Sequence, residues 1–214
     1  MFPAAALFDL DGVLIDSEPA YTGIWNEIVS VYPTGIDNFA HVIKGNTLPR
    51  ILSTYFPDPE IQKAVVTMLK ERENAMEYEI FEGVNAFLDD LKARNIPAAI
   101  VTSSGTVKMA RLFAKLEGFA KYFDVVITDA DTTRSKPHPE CYLTAAARLG
   151  VDPAECIVFE DSFAGLQAGR DAGAAVVAIA STNPRESLTD KAHTVIDGFA
   201  GITVDSLVEL LQRG

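Results

Sequence analysis

The stretch "AALFDLDGVLIDSE" (5–18) decides the fold. An apolar run from Ala4 to Phe8 breaks off at Asp9, and Asp11 follows one residue later, ahead of Gly12. A short apolar run closed by Asp-Gly reads as a buried strand entering a turn. A buried carboxylate without a partner is costly, so two acids at a strand end require compensation. Residues i and i+2 of an extended segment project the same way, so Asp9 and Asp11 are expected to converge on one point.

Outward from this stretch, similar runs recur. They are "PAAIVTS" (97–103), "DVVITDA" (124–130), "CIVFEDS" (156–162), "AVVAIAS" (175–181) and "HTVIDGF" (193–199). Helical patterns lie between them: Val84, Phe87, Leu88 and Leu91 follow i, i+3, i+4, i+7, as do Met109, Leu112, Phe113 and Leu116. Leu207, Leu210 and Leu211 begin a closing amphipathic helix. Strands alternating with helices predict an α/β fold, a Rossmann-like parallel sheet covered on both faces. Ligands of such sheets bind at the carboxyl ends of the strands.

Residues 17–80 break the alternation. Tyr21, Ile24, Trp25 and Ile28 form one helical stripe, and Ile61, Ala64, Val65 and Met68 another. The spacing predicts an inserted α-helical cap domain over 17–80. The core is then discontinuous, 1–14 with 82–214, and the hinges fall near 15–17 and 79–83. Asp16 and Ser17 are expected to cap the first inserted helix, ahead of Glu18 and Pro19.

The chain of 214 residues is 48% hydrophobic and carries a net charge of −12. That balance disfavours nonspecific nucleic-acid binding. No stretch approaches the roughly 20 apolar residues of a membrane span. The start lacks a basic region before an apolar one, so no signal peptide is expected. Cys141 and Cys156 show no disulfide or metal spacing, which places the protein in the reducing cytoplasm. A monomer is the expected state.

A second acidic pair, Glu160 and Asp161, ends the run "CIVFEDS". Acidic groups at two strand ends suit Mg²⁺, which takes one or two carboxylates and keeps waters and substrate phosphate as its other ligands. Thr102, Ser103 and Ser104 follow a third strand, where hydroxyls, backbone N–H groups and a helix N-terminus can hold an anion. Lys136 in "RSKPHPE" supplies a point charge suited to phosphate.

"FDLDGVLIDSE", "IVTSS", "SKPHPECYL" and "FEDSFAGLQAGRDAG", in this order and spacing, resemble the motifs of haloacid-dehalogenase (HAD)-type phosphohydrolases. The match is to the subclass I branch with an α-helical cap after the first strand, which includes β-phosphoglucomutase and small sugar-phosphate phosphatases. The resemblance implies Asp9 as the nucleophile that forms an aspartyl phosphate. It implies Asp11 as general acid/base, with its backbone carbonyl on Mg²⁺. Thr102, with Ser103, would hold phosphoryl oxygen and Lys136 would neutralise charge. Asp161 would bind Mg²⁺, with Glu160 direct or through water. The catalytic set is thus Asp9, Asp11, Thr102 and Lys136, and the metal set Asp9, Asp11, Glu160 and Asp161. Ser104 joins the phosphate-binding set.

The resemblance also places "IKGNTLPR" (43–50) at the cap loop, making Lys44, Gly45 and Asn46 substrate candidates, with Thr47 and Arg50 beside them and Tyr21 on the first cap helix. β-Phosphoglucomutase has a histidine at the position of Tyr21 and an arginine at that of Leu48. Their replacement favours hydrolysis over mutase chemistry. The implied activity is Mg²⁺-dependent hydrolysis of small phosphate monoesters, sugar or sugar-alcohol phosphates, with no nucleic-acid or membrane partner. A hexose phosphate mutase is the alternative, and a non-enzymatic phosphate-binding domain a more distant one.

Overall fold

The computed structural model describes residues 2–43 and 48–213. In chain order the elements are β1 (Ala5–Phe8), β2 (Ile15–Asp16), α1 (Glu18–Val31), α2 (Phe39–Val42), α3 (Leu48–Tyr55), α4 (Pro59–Ala75), β3 (Glu79–Ile80), α5 (Val84–Ala93), β4 (Ala98–Val101), α6 (Thr106–Lys115), β5 (Val125–Ile127), α7 (Glu140–Leu149), β6 (Cys156–Glu160), α8 (Phe163–Asp171), β7 (Ala175–Ile179), α9 (Arg185–Leu188), β8 (Thr194–Ile196) and α10 (Val204–Arg213). They divide into two compact units, Met1–Asp16 with Tyr78–Gly214, and Ser17–Glu77.

The first unit is α/β. Its sheet has the order β5-β4-β1-β6-β7-β8, and every neighbouring pair is parallel. β1 is central, with Leu7 opposite Ala99 on one side and Val158 on the other. The crossovers change direction at β1, the switch point where such sheets open a crevice. All four residues of β1 are buried because both faces are covered. Ala5 and Leu7 pack with Val158, Val176, Tyr142 and Leu166. Phe8 stacks on Phe159 at 4.5 Å and meets Phe87 and Phe199 edgewise or tilted. Each fully buried phenyl contributes about 1.5–3 kcal/mol. α5 buries Val84, Phe87, Leu88 and Leu91, the stripe its spacing predicts.

β2 and β3 form a small antiparallel ribbon in the same unit, pairing Ile15 with Ile80 and Asp16 with Glu79. This ribbon ties residues 15–16 and 79–80 to the α/β unit, so the divisions fall after Asp16 and before Tyr78. The pairing of two residues per strand is not visible in hydrophobic periodicity.

The second unit is helical. Its core gathers on Phe39, which meets Trp25 at 5.9 Å, Tyr55 at 5.1 Å and Phe56 at 5.9 Å. α1 buries Ile24, Trp25 and Ile28. Asp58 caps α4 by accepting from the Glu60 N–H at 2.8 Å. Ser17 stands at the N-cap of α1 but, contrary to expectation, makes no side-chain capping bond, because its backbone is already helical (φ −93°, ψ −14°). Both cysteines are free and buried. No helix among the described residues is long and apolar enough to cross a membrane.

Candidate active site

Because β1 and β6 are neighbours, their carboxyl ends bring Asp9 beside Glu160 and Asp161. One carboxylate oxygen from each lies within 4.8 Å of the others. Asp9 is held in place by its backbone N–H, which donates to the Phe159 carbonyl at 3.0 Å. Lys136, in the loop before α7, reaches into this cluster. Its Nζ lies 2.5 Å from Asp9 Oδ1, 2.6 Å from Glu160 Oε1 and 3.1 Å from the Val101 carbonyl.

Glu160 is fully buried and fully engaged. Besides Lys136, Oε1 accepts from the Tyr142 hydroxyl at 2.8 Å. Oε2 accepts from the N–H groups of Asp161 and Ser162 and from Ser162 Oγ. A Cβ on Gly165 would stand 1.7 Å from Glu160 Oε1, so only glycine lets the first turn of α8 close over this carboxylate. Tyr142 and Gly165 hold Glu160 in place, and no spacing rule singled them out.

Burial pushes the Asp9 carboxyl well above the usual range, with Lys136 pulling the other way and Glu160 and Asp161 adding to the rise. Burial and Glu160 likewise raise Asp161, to about 7. Burial opposes charge on Lys136, but Asp9 and Glu160 outweigh it and hold the amine protonated. Burial and Glu160 keep the Tyr142 phenol protonated, so it donates. Three carboxylates against one ammonium leave excess negative charge. Asp161 forms no ion pair among the described residues, and every donor in the cluster is oxygen. That set fits a hard divalent cation.

Asp11 departs from the expected convergence. The strand ends at Phe8 and a turn begins at once, the N–H groups of Leu14 and Ile15 both donating to the Leu10 carbonyl. The period of two therefore lapses between Asp9 and Asp11, and the Asp11 carboxylate is not part of the acidic cluster. Instead Lys108 Nζ lies 2.7 Å from both of its oxygens, and Ser104 Oγ lies 3.2 Å from Oδ2. Lys108 sits in the first turn of α6, where the helix dipole disfavours a cation. Asp11 offsets that penalty. Sequence reasoning missed Lys108; its placement against the dipole was the available signal. Gly12 turns the chain with φ +80°, and a Cβ there would stand 2.2 Å from Asp161 Oδ2.

Thr102 and Ser104 lie at the carboxyl end of β4, on the other side of β1. Thr102 is buried, and its Oγ1 accepts from the Ser104 N–H at 3.0 Å. Ser103 is exposed. A cavity of about 220 Å³ opens here, lined in part by Thr102, Ser103, Thr133, Arg134 and Lys136. His138 Nδ1 accepts from the Glu140 N–H, a local role at the start of α7. In the helical unit the Tyr21 hydroxyl donates to Glu73 Oε1 at 3.2 Å. Lys44, Gly45, Asn46 and Thr47 lie outside the described residues.

The model of the haloacid dehalogenase-like hydrolase family matches residues 3–173. Among curated relatives, hexitol phosphatase A of Escherichia coli is 36% identical over 179 residues, 81% of this chain and 81% of that protein. The bifunctional riboflavin kinase/FMN phosphatase of Arabidopsis thaliana is 28% identical over 94% of this chain, which spans only 55% of that longer protein. Among solved structures, a family IA HAD hydrolase from Entamoeba histolytica superposes with a TM-score of 0.81 at 27% identity, covering 97% of this chain and 99% of that one. A β-phosphoglucomutase from Clostridium difficile gives 0.77 at 26%, covering 99% and 98%. With its motif acids at the ends of β1 and β6 and its lysine between them, the chain belongs to the haloacid dehalogenase-like hydrolase family.

Proposed function

We propose that the protein is a Mg²⁺-dependent phosphatase that hydrolyses small phosphate monoesters, sugar or sugar-alcohol phosphates, through an aspartyl phosphate on Asp9. The observation that carries this reading is Lys136 Nζ lodged between Asp9 and Glu160 in a buried acidic cluster. The phosphatase names of curated relatives support the substrate class.

Asp9 attacks phosphorus as the bond to the leaving oxygen breaks, and Asp11 gives that oxygen a proton. Water then attacks the phosphorus of the aspartyl phosphate, Asp11 takes the water's proton, and phosphate leaves with Asp9 restored. Splitting the transfer into these steps lowers each barrier. Lys136 neutralises charge where a carboxylate and a phosphate must approach, and Thr102, Ser103 and Ser104 hold phosphoryl oxygens. Glu160 acts by fixing Lys136. Asp9, Asp161 and the Asp11 carbonyl would hold Mg²⁺, which supplies electrophilic stabilisation of the phosphoryl oxygens. The helical unit is assigned recognition of the leaving group as a cap, with Lys44, Gly45, Asn46 and Tyr21 as its candidates. Both crossings into it leave from the β2–β3 ribbon, which is where hinges would act. The reading places the protein in the cytoplasm as a monomer.

The test is phosphate release with Mg²⁺ across sugar phosphates, polyol phosphates, nucleotides and pyrophosphate. Release is expected from the carbohydrate esters and is expected to fall by about 10³-fold or more in Asp9→Asn. Isomerised hexose phosphate with little free phosphate would establish the mutase instead.

A further inference from the structure

We propose that Lys108 is a positioning residue that holds the Asp11 carboxylate for the water step of the reaction. This rests on the mechanism proposed above and gives a role to a residue outside every motif the sequence singled out.

The turn after β1 leaves Asp11 without a strand to aim its side chain. The carboxylate is fixed from outside instead. β4 is a sheet neighbour of β1, so the chain leaving β4 at Val101 and turning into α6 passes the residues that follow β1. From this segment Lys108 Nζ donates to Asp11 Oδ1 and to Oδ2, both at 2.7 Å, and Ser104 Oγ donates to Oδ2 at 3.2 Å. Only 14% of the Lys108 side chain is exposed, so water screens the contact less than it does a surface pair.

Lys108 is the third residue of α6, where the helix dipole disfavours a cation, so nothing in the helix itself calls for a lysine at this position. What the lysine does there is grip both oxygens of one carboxylate. A carboxyl that gives up a proton must present an O–H to an acceptor, whereas an ionised one only accepts. Both Asp11 oxygens face donors, which is the arrangement for taking a proton from water, the second half of the reaction. In the first half Asp11 gives a proton to the leaving oxygen, and Lys108 lends that step no comparable support.

The test follows the aspartyl phosphate formed from an aryl phosphate, whose leaving group needs no proton, by rapid mixing with Mg²⁺ and acid quench. Wild type, Lys108→Met, Lys108→Arg, Asp11→Asn and the double variant Lys108→Met/Asp11→Asn are compared. General-base catalysis contributes about 10²–10⁴-fold, so Lys108→Met is expected to slow decay of the aspartyl phosphate at least about 10-fold while its formation keeps the wild-type rate. Lys108→Arg, which can also grip both oxygens, is expected to restore decay. With Asp11→Asn already present, Lys108→Met should cause no further slowing, because the two residues act as a unit. Lys108→Gln is a second probe, expected to slow decay in the same direction. Wild-type decay in both Lys108→Met and Lys108→Gln, equal slowing of formation and decay, or the same slowing in the Asp11→Asn background would overturn the proposal. Absence of any aspartyl phosphate in wild type and in Asp11→Asn would instead overturn the mechanism it rests on.

Discussion

Lys136 meets Asp9 across 127 residues of chain, with only 9% and 13% of the two side chains exposed. In the helical unit Arg72 meets Glu27 across 45 residues, with 43% of each exposed. The two pairs look alike as ion pairs and differ in consequence. Water screens the second, and an exposed pair adds little. The first is held by a sheet that offers water little access, and its members cannot relax apart. The charges to which the proposed chemistry is assigned are those the α/β unit buries.

The largest expected effect breaks the buried pair. Lys136→Met leaves Asp9 and Glu160 without their cation, and chemical denaturation should show a loss of about 3–5 kcal/mol together with loss of phosphate release. Arg72→Met is the control that sharpens the contrast, and its denaturation midpoint should match wild type. A smaller effect comes from Asp161. In cation-free protein its carboxyl is raised from 3.8 to about 7, so between those values the folded state keeps a proton that the unfolded chain has lost. Its contribution therefore favours folding at the acid end and fades as pH rises through 7. Thermal melts of metal-free protein should show this decline, and added Mg²⁺ should offset it at about pH 8, because a ligand bound only by the folded state stabilises it.

The sheet and the meeting of its strand-end acids were legible where local pattern and global fold agree. β1, β4, β6 and β7 are apolar runs of strand length, and Asp9, Glu160 and Asp161 stand where those runs stop. Strand adjacency then brings the acids together. Asp11 was misread in its direction, because the alternation rule holds only while the strand continues and this one ends at Phe8. Lys108 and Tyr142 were not singled out. Each is a common residue on a helix, and its meaning comes from a partner 97 or 18 positions away in sequence. Such pairings depend on which strands become neighbours, and periodicity does not encode that order. The β2–β3 ribbon escaped for a related reason, its strands being too short to carry a pattern.

The most direct test of the central claim asks whether phosphate is transferred to Asp9. Protein with Asp11→Asn, which slows the water step, is mixed with Mg²⁺ and an aryl phosphate whose leaving group needs no proton. It is then quenched in acid, digested and read by mass spectrometry. The expected result is a phosphoryl group on Asp9 in the peptide that spans residues 7–12, absent from the variant that also carries Asp9→Asn. Phosphate release from an active preparation with no phosphoryl group on Asp9 at any time point, or with the group on another residue, would contradict it.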